Sequence, residues 1–127
     1  MLRKIIAAAC FALLASTAHA DQPLATPTVN STATIVTGNT FQTVLAAGKT
    51  NTRHALTIQN NNATDSCWIT FGTLANGTAI TAGNASKANS ILLTAGSSYT
   101  RYYPFLPIDE IEGTCASNSD TLYIETQ

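Results

Sequence analysis

Short runs in which apolar or β-branched residues alternate with polar ones dominate the chain after residue 31. The eight runs cover residues 32–37, 41–46, 54–59, 67–71, 90–94, 97–103, 108–112 and 121–125. Gly and Asn residues that favour turns separate them. Evenly spaced short strands predict an all-β fold, a single antiparallel β-sandwich of about eight strands, in which jelly-roll and immunoglobulin-like topologies both stay open.

A helical fold is a poor alternative for this chain. Thr, Ser and Asn are abundant throughout it, and all three are weak formers of helix interiors. No window shows apolar residues sustained at the i, i+3, i+4 spacing of an amphipathic helix. We therefore expect less than about a tenth of the exported chain to be helical.

The period of two within each strand predicts which side chains face the core. The inward set is Leu56, Ile58, Cys67, Ile69, Phe71, Ile111, Gly113, Cys115, Leu122 and Ile124. In the sixth run the same rule places Tyr103 on the core side and Tyr102 on the solvent side. Residues 72–89 are rich in Ser, Thr and Asn and are predicted to form a long excursion between strands.

The first twenty residues have the organisation of a secretory signal peptide. Arg3 and Lys4 precede an apolar stretch over residues 5–15, and Ala18-His19-Ala20 has the small-x-small pattern of a cleavage site. The predicted organisation is a signal peptide at 1–20, a flexible leader at 21–31 and the β-sandwich domain at 32–127. We expect the protein to be secreted or periplasmic, with no membrane span after cleavage.

Cys67 and Cys115 are the two cysteines that follow the predicted cleavage site. Both fall on the predicted core face, and an isolated pair in an oxidising compartment is usually a disulfide. A redox or nucleophilic thiol would favour a C-x-x-C spacing or a neighbouring His, and the sequence has neither beside these cysteines. We therefore predict a structural disulfide.

Charge and motifs exclude several classes of function. Only four basic residues follow the cleavage site, namely Lys49, Arg53, Lys87 and Arg101, and they are too scattered to neutralise a nucleic-acid backbone. His54 accompanies no hydrolase or zinc-site motif and is interpreted as a polar residue at a strand entry. We predict no enzymatic activity, no cofactor and no bound metal.

Asp109, Glu110 and Glu112 form the one acidic cluster. Two carboxylates on a strand face can act as an acid–base pair or as calcium ligands, but the spacing matches no calcium loop. Acidic residues also protect a strand edge from aggregation. The sequence favours a solvated edge.

Aromatic residues and one arginine supply the candidate contact surface. The residues predicted to touch a partner are Trp68, Tyr99, Arg101, Tyr102 and Phe105. Aromatic side chains with Arg among them are typical of protein and sugar contacts. The competing hypothesis is that Trp68 and Tyr102 pack beneath the 72–89 excursion.

Three segments resemble small β-sandwich domains of bacteriophage virion proteins, often found in prophages. They are RHALTIQNNNATDSCWITFG at 53–72, LLTAGSSY at 92–99, and the closing strand at 120–125. The resemblance implies a structural or decorating part of a particle without catalytic residues. The predicted signal peptide and disulfide depart from virion parts assembled in a cytoplasm and favour an exported bacterial relative.

These observations favour a non-enzymatic exported structural or interaction module of phage-virion-like origin. The alternatives are a carbohydrate-binding domain and a pilin-like surface subunit. The expected partner is a protein or a glycan surface, and oligomerisation is compatible with each hypothesis.

Overall fold

The computed structural model describes residues 28–48 and 53–127. The predicted signal peptide at 1–20 and positions 21–27 of the predicted leader lie outside the described residues. Eight strands and one short 3-10 helix, Lys87–Asn89, form the regular structure of the described chain. The strands are β1 (Val29–Thr34), β2 (Gln42–Leu45), β3 (Ala55–Asn60), β4 (Cys67–Thr70), β5 (Ile91–Leu93), β6 (Ser98–Tyr102), β7 (Ile111–Cys115) and β8 (Thr121–Thr126). Across the two described ranges, no helix is both long and apolar enough to cross a bilayer.

The strands form two four-stranded sheets in which every pairing is antiparallel. The first sheet has the order β1-β8-β3-β6, and the second has the order β2-β7-β4-β5. Strand β1 pairs with β8, β2 with β7, β3 with β6 and β4 with β5, which is the pattern of one long hairpin wound upon itself. The fold is therefore a β-sandwich, as predicted, and its strand order is that of a jelly roll.

The core lies between the two sheets and follows the predicted alternation. Along β3 and β8, Leu56, Ile58, Leu122 and Ile124 are buried, while the residues between them are half-buried. Each such side chain contributes about 1.5–3 kcal/mol when it leaves water. The remaining buried apolar residues of the central cluster are Ile35, Cys67, Ile69, Leu93, Ile111 and Cys115.

Strands β1 and β7 begin at positions other than those predicted. Strand β1 starts at Val29, inside the predicted leader, because Val29–Thr34 runs antiparallel to the full length of β8. Strand β7 starts at Ile111 rather than at residue 108, because the pairing with its neighbours β2 and β4 covers residues 111–115. The local sequence pattern predicts that both strands exist but does not predict the residues at which they begin and end.

The 72–89 excursion covers the outer face of the second sheet. Thr70 Oγ1 in β4 donates a hydrogen bond to Asn89 O at 3.0 Å, and Ile80, within the excursion, is buried. All five residues of β7 are consequently buried, on both faces of the sheet.

Gly113 in β7 lies where side chains from both sheets leave no room for a Cβ atom. A Cβ atom at this position would lie 2.8 Å from Val44 Cγ1 and 3.1 Å from Leu122 Cδ1. A glycine lets the side chains from β2 and β8 meet above the middle of β7.

Candidate functional site

The disulfide predicted between Cys67 and Cys115 is confirmed. The two residues lie opposite each other on neighbouring strands β4 and β7, and both are buried in the core. They are 48 positions apart in the chain. The bond therefore links the two central strands of the second sheet covalently, as expected for a structural disulfide.

The residues predicted to contact a partner do not form a single cluster. Trp68 lies on the outer face of the second sheet, in β4. Tyr99, Arg101 and Tyr102 lie in β6 at the edge of the first sheet, and Phe105 lies in the loop that follows. Only the β6 residues and Phe105 are near one another in the fold.

Trp68 is half-buried, with a cation over its ring. Lys87 Nζ, from the 72–89 excursion, lies 3.8 Å from the ring centroid and donates to Asn39 Oδ1 at 2.6 Å. This arrangement is a cation–π contact, and it occupies one face of the indole. The excursion therefore packs over Trp68, as the competing hypothesis expected, but it does not cover Tyr102, which is exposed.

Tyr99 and Arg101 point to the core side of β6, because they lie opposite the buried residues Ile58 and Leu56 of β3. The Tyr99 ring packs on the core, with its centroid 5.8 Å from that of Phe71. Arg101 Nε donates to Tyr99 Oη at 2.7 Å. Tyr99 thus supports the edge of the sandwich, and Arg101 presents a charge there.

The most exposed apolar group of the described chain is the 102–108 segment, which comprises the end of β6 and the loop leading toward β7. Its exposed members are Tyr102 (68% exposed), Tyr103 (68%), Phe105 (78%) and Ile108 (47%). The prediction that Tyr103 faces the core is wrong, because β6 ends at Tyr102 and the alternation ends with it. Ile108 was missed because it was placed inside a strand.

Arg53 fastens this loop at its far end. Its guanidinium is half-buried, donates from Nη1 to Pro107 O at 3.1 Å, and donates from Nη2 to Ala46 O. Gly48 N also donates to Ile108 O at 2.8 Å. Burial lowers the pKa of Arg53 from its ordinary value. The sequence offered no signal for this role, since Pro107 O, the carbonyl that ties Arg53 to the loop, lies 54 positions away in the chain.

Glu112 is not a solvated edge residue, and the prediction for the acidic cluster is wrong at this position. It is 1% exposed, and the backbone of Ala82, in the 72–89 excursion, lies close to its carboxylate. Thr43 Oγ1 lies 2.6 Å from Glu110 Oε1 and 3.2 Å from Glu112 Oε1. Glu112 Oε2 has no hydrogen-bond partner among the described residues. Burial, followed by the negative charge of Glu110, raises the pKa of Glu112.

His54 is exposed and lies directly before β3, as expected for a polar residue at a strand entry. Its backbone carbonyl accepts a hydrogen bond from Tyr103 N at 3.0 Å, and its ring centroid is 6.3 Å from that of Tyr103. These contacts give His54 a structural part at the start of the 102–108 segment.

Comparison with known proteins assigns neither a family nor a function. No protein-family model matches the chain, and no curated protein matches it. One solved structure, described as "Bacillus endospore appendages form a novel family of disulfide-linked pili", is similar at 16% sequence identity. The match covers 80% of this chain and 85% of that chain, with a TM-score of 0.41.

Proposed function

We propose that the protein is a non-enzymatic exported structural module that binds another protein through its 102–108 segment. The observation that carries this proposal is the exposure of four large apolar side chains within seven consecutive residues. A folded domain gains nothing in solubility from such exposure, and apolar surface of this kind marks protein contact sites. Tyr is among the residue types that dominate binding energy at interfaces, and Phe is enriched in interface cores.

The surroundings of the segment favour binding by a preformed surface. Strand β6 holds Tyr102 against β3 at one end, and Arg53 holds Pro107 at the other. Phe105 N also donates to Tyr102 O at 3.0 Å, which closes a turn within the segment. A surface that is fixed before binding loses less conformational entropy on association.

Export rests on the predicted signal peptide and agrees with the buried Cys67–Cys115 bond, since such bonds persist in oxidising compartments. Detection of the chain outside the cytoplasm with Asp21 at its N-terminus would support this part of the proposal. The phage-like origin stays a prediction, because jelly rolls serve many unrelated functions. Neighbouring genes for phage assembly would support it.

The two alternatives differ in their support. A carbohydrate-binding domain uses open aromatic faces, and Lys87 occupies one face of Trp68. A pilin-like surface subunit is a structural module whose protein partner is another subunit, so it is compatible with the proposed contact. A glycan array is expected to show no binding that depends on Trp68.

Site-specific photocrosslinking in the cells that make the protein tests the proposed contact. A photoreactive phenylalanine analogue replaces Phe105 in one variant and Val36 in a matched control, since Val36 is similarly exposed at 76% but lies outside the segment. We expect a discrete protein adduct from position 105, absent from position 36, that Tyr102→Ser weakens. Equal adducts at the two positions, or none at position 105, would overturn the proposal.

A further inference from the structure

Four strands lie at the edges of the two sheets, and three of them carry features that discourage pairing with another chain. Strand β2 is short, with an irregular register between Thr43 and Leu45, and β5 has only three residues. Strand β6 carries the charge of Arg101 on its core-facing side. Bulges, very short strands and inward charges are the usual means of protecting a sheet edge.

Strand β1 has no such feature. It has six residues, V-N-S-T-A-T, without a charge, a proline or a glycine, and five of the six are exposed. An exposed, uncharged strand of this length is a template for another strand.

The hydrogen bonds around β1 show which backbone groups face outward. Ile35 N donates to Asp120 O at 2.8 Å, so the odd-numbered residues direct their backbone groups toward β8. On the opposite side, Gln42 Nε2 donates to Thr34 O and Gln42 Oε1 accepts from Val36 N, both at 2.9 Å. The Gln42 amide thus takes the position that a peptide group of a neighbouring strand would occupy.

The outward groups before Thr34 belong to Asn30 and Thr32. Within residues 28–48 and 53–127, no other group forms a hydrogen bond with the N–H and C=O that these two residues direct outward. These two residues supply two free donors and two free acceptors. The Thr34 N–H also faces outward and is a third free donor, since the Gln42 amide binds only the carbonyl of Thr34.

We infer that two copies of this chain pair through β1, antiparallel about a two-fold axis, and so join their first sheets into one eight-stranded sheet. Residues that face each other must lie on the same face of the sheet, which allows few registers. Pairing Asn30 of each copy with Thr32 of the other satisfies the four groups that these two residues direct outward and leaves Gln42 in place. The register centred on Thr32 would instead need Thr34 O, which Gln42 already binds.

The side chains of β1 are compatible with this self-pairing. The strand carries no charge, so no like charges meet when two copies pair. Val29 of each copy would face Ala33 of the other, and Ser31 would face its own equivalent on the axis. Closed two-fold dimers are also the commonest form of homo-oligomer.

The inference goes beyond the proposed function and uses a different surface, since β1 and β6 lie at opposite edges of the first sheet. Phe105→Ser is therefore expected to weaken the proposed crosslink and to leave the dimer intact. A monomeric chain would refute the dimer but not the proposed contact at the 102–108 segment. A missing crosslink at position 105 would refute that contact but not the dimer.

The test measures the mass of the oxidised chain from residue 21 onward by light scattering and sedimentation, between about 1 µM and about 1 mM. We expect the mass to approach about twice that of the monomer and Thr32→Pro to abolish the increase. The Thr32 N–H faces outward, so proline there removes an intermolecular bond but no bond to β8. Thr32→Val, which keeps the N–H, is the matched control and should still dimerise.

A cysteine substitution tests the register without depending on dimer affinity. In the inferred pairing, residue 31 lies opposite residue 31 of the second copy, with Cα atoms about 4.5 Å apart. Ser31→Cys should therefore give a covalent dimer under mild oxidation, because disulfides span about 4.4–6.8 Å. Thr34→Cys is the matched control, since its equivalents would lie about 20 Å apart.

Three results would overturn the inference. A wild-type chain that is folded and monomeric at the highest concentration is one, and equal crosslinking of Ser31→Cys and Thr34→Cys is another. The third is an assembly larger than a dimer that Thr100→Pro in β6 abolishes. Such a result would mean that β1 of one copy pairs with β6 of the next, which gives an open array of copies. Circular dichroism of each proline variant confirms that it is folded.

Discussion

Removal of the Cys67–Cys115 bond should cost this domain a large part of its stability. The perturbation is the double substitution Cys67→Ala and Cys115→Ala. Closing a loop between residues 48 positions apart contributes about 4 kcal/mol when the main effect is loss of entropy in the unfolded chain. Both sulfur atoms are also fully buried, and losing each from the core adds roughly 1 kcal/mol. Domains of this size are stable by only about 5–15 kcal/mol.

Urea unfolding of three proteins separates these two contributions. The oxidised wild type, the reduced wild type and the double alanine variant are followed by circular dichroism, and their free energies of unfolding are extrapolated to water. Reduction removes the covalent bond but keeps both sulfur atoms, so the first two proteins should differ by about 4 kcal/mol. The alanine variant should lose about 2 kcal/mol more, since it also lacks the buried sulfur volume.

A small difference between oxidised and reduced wild type would refute this reasoning. A loss below about 1 kcal/mol would mean that the unfolded chain gains little freedom when the bond opens. Two free thiols in the mature protein, detected by mass spectrometry, would remove the premise itself.

Three further results are expected. Gly113→Ala should destabilise by about 1–3 kcal/mol, since its Cβ would meet Val44 Cγ1 at 2.8 Å, and Val44→Ala should relieve most of that loss in a double-mutant cycle. The raised pKa of Glu112 means that the native state binds the proton more tightly than the unfolded chain. Stability should therefore fall as the pH rises from the ordinary glutamate range through the raised native pKa. Glu112→Gln should flatten that slope and add about 1–2 kcal/mol near neutral pH, whereas an unchanged pH profile of thermal unfolding would contradict the buried placement. Leu56→Ala should cost about 2–5 kcal/mol and Thr57→Ala under about 1 kcal/mol in urea unfolding, and equal losses would show that the core face of β3 is misassigned.

The candidate contact surface was only partly visible in the sequence. The aromatic cluster drew attention to Tyr102 and Phe105, but parity placed Tyr103 in the core and a strand was expected to contain Ile108. Both errors have one cause, since alternation holds only inside a strand, and β6 ends at Tyr102. Trp68 was also grouped with these residues, although β4 and β6 belong to different sheets.

The burial of Glu112 lay beyond sequence reasoning for a different reason. A glutamate between two apolar positions looks like a solvent-facing residue on a half-buried strand. Residues 72–89 cover the outer face of the second sheet, where Glu112 lies. Their path depends on contacts such as those of Lys87 with Trp68 and Asn39. No local pattern contains that information.

The sequence by itself determined that the chain folds into about eight strands, which residues of most strands face inward, and which two cysteines pair. Alternation and turn residues act over a few neighbouring positions, and only two cysteines follow the predicted cleavage site. Tertiary structure alone decided the jelly-roll order, the ends of β1 and β7, the covered face of the second sheet and the open edge at β1. Alternation says which face of a strand is buried but not which strand lies beside it, because strand pairing depends on contacts between residues far apart in the chain.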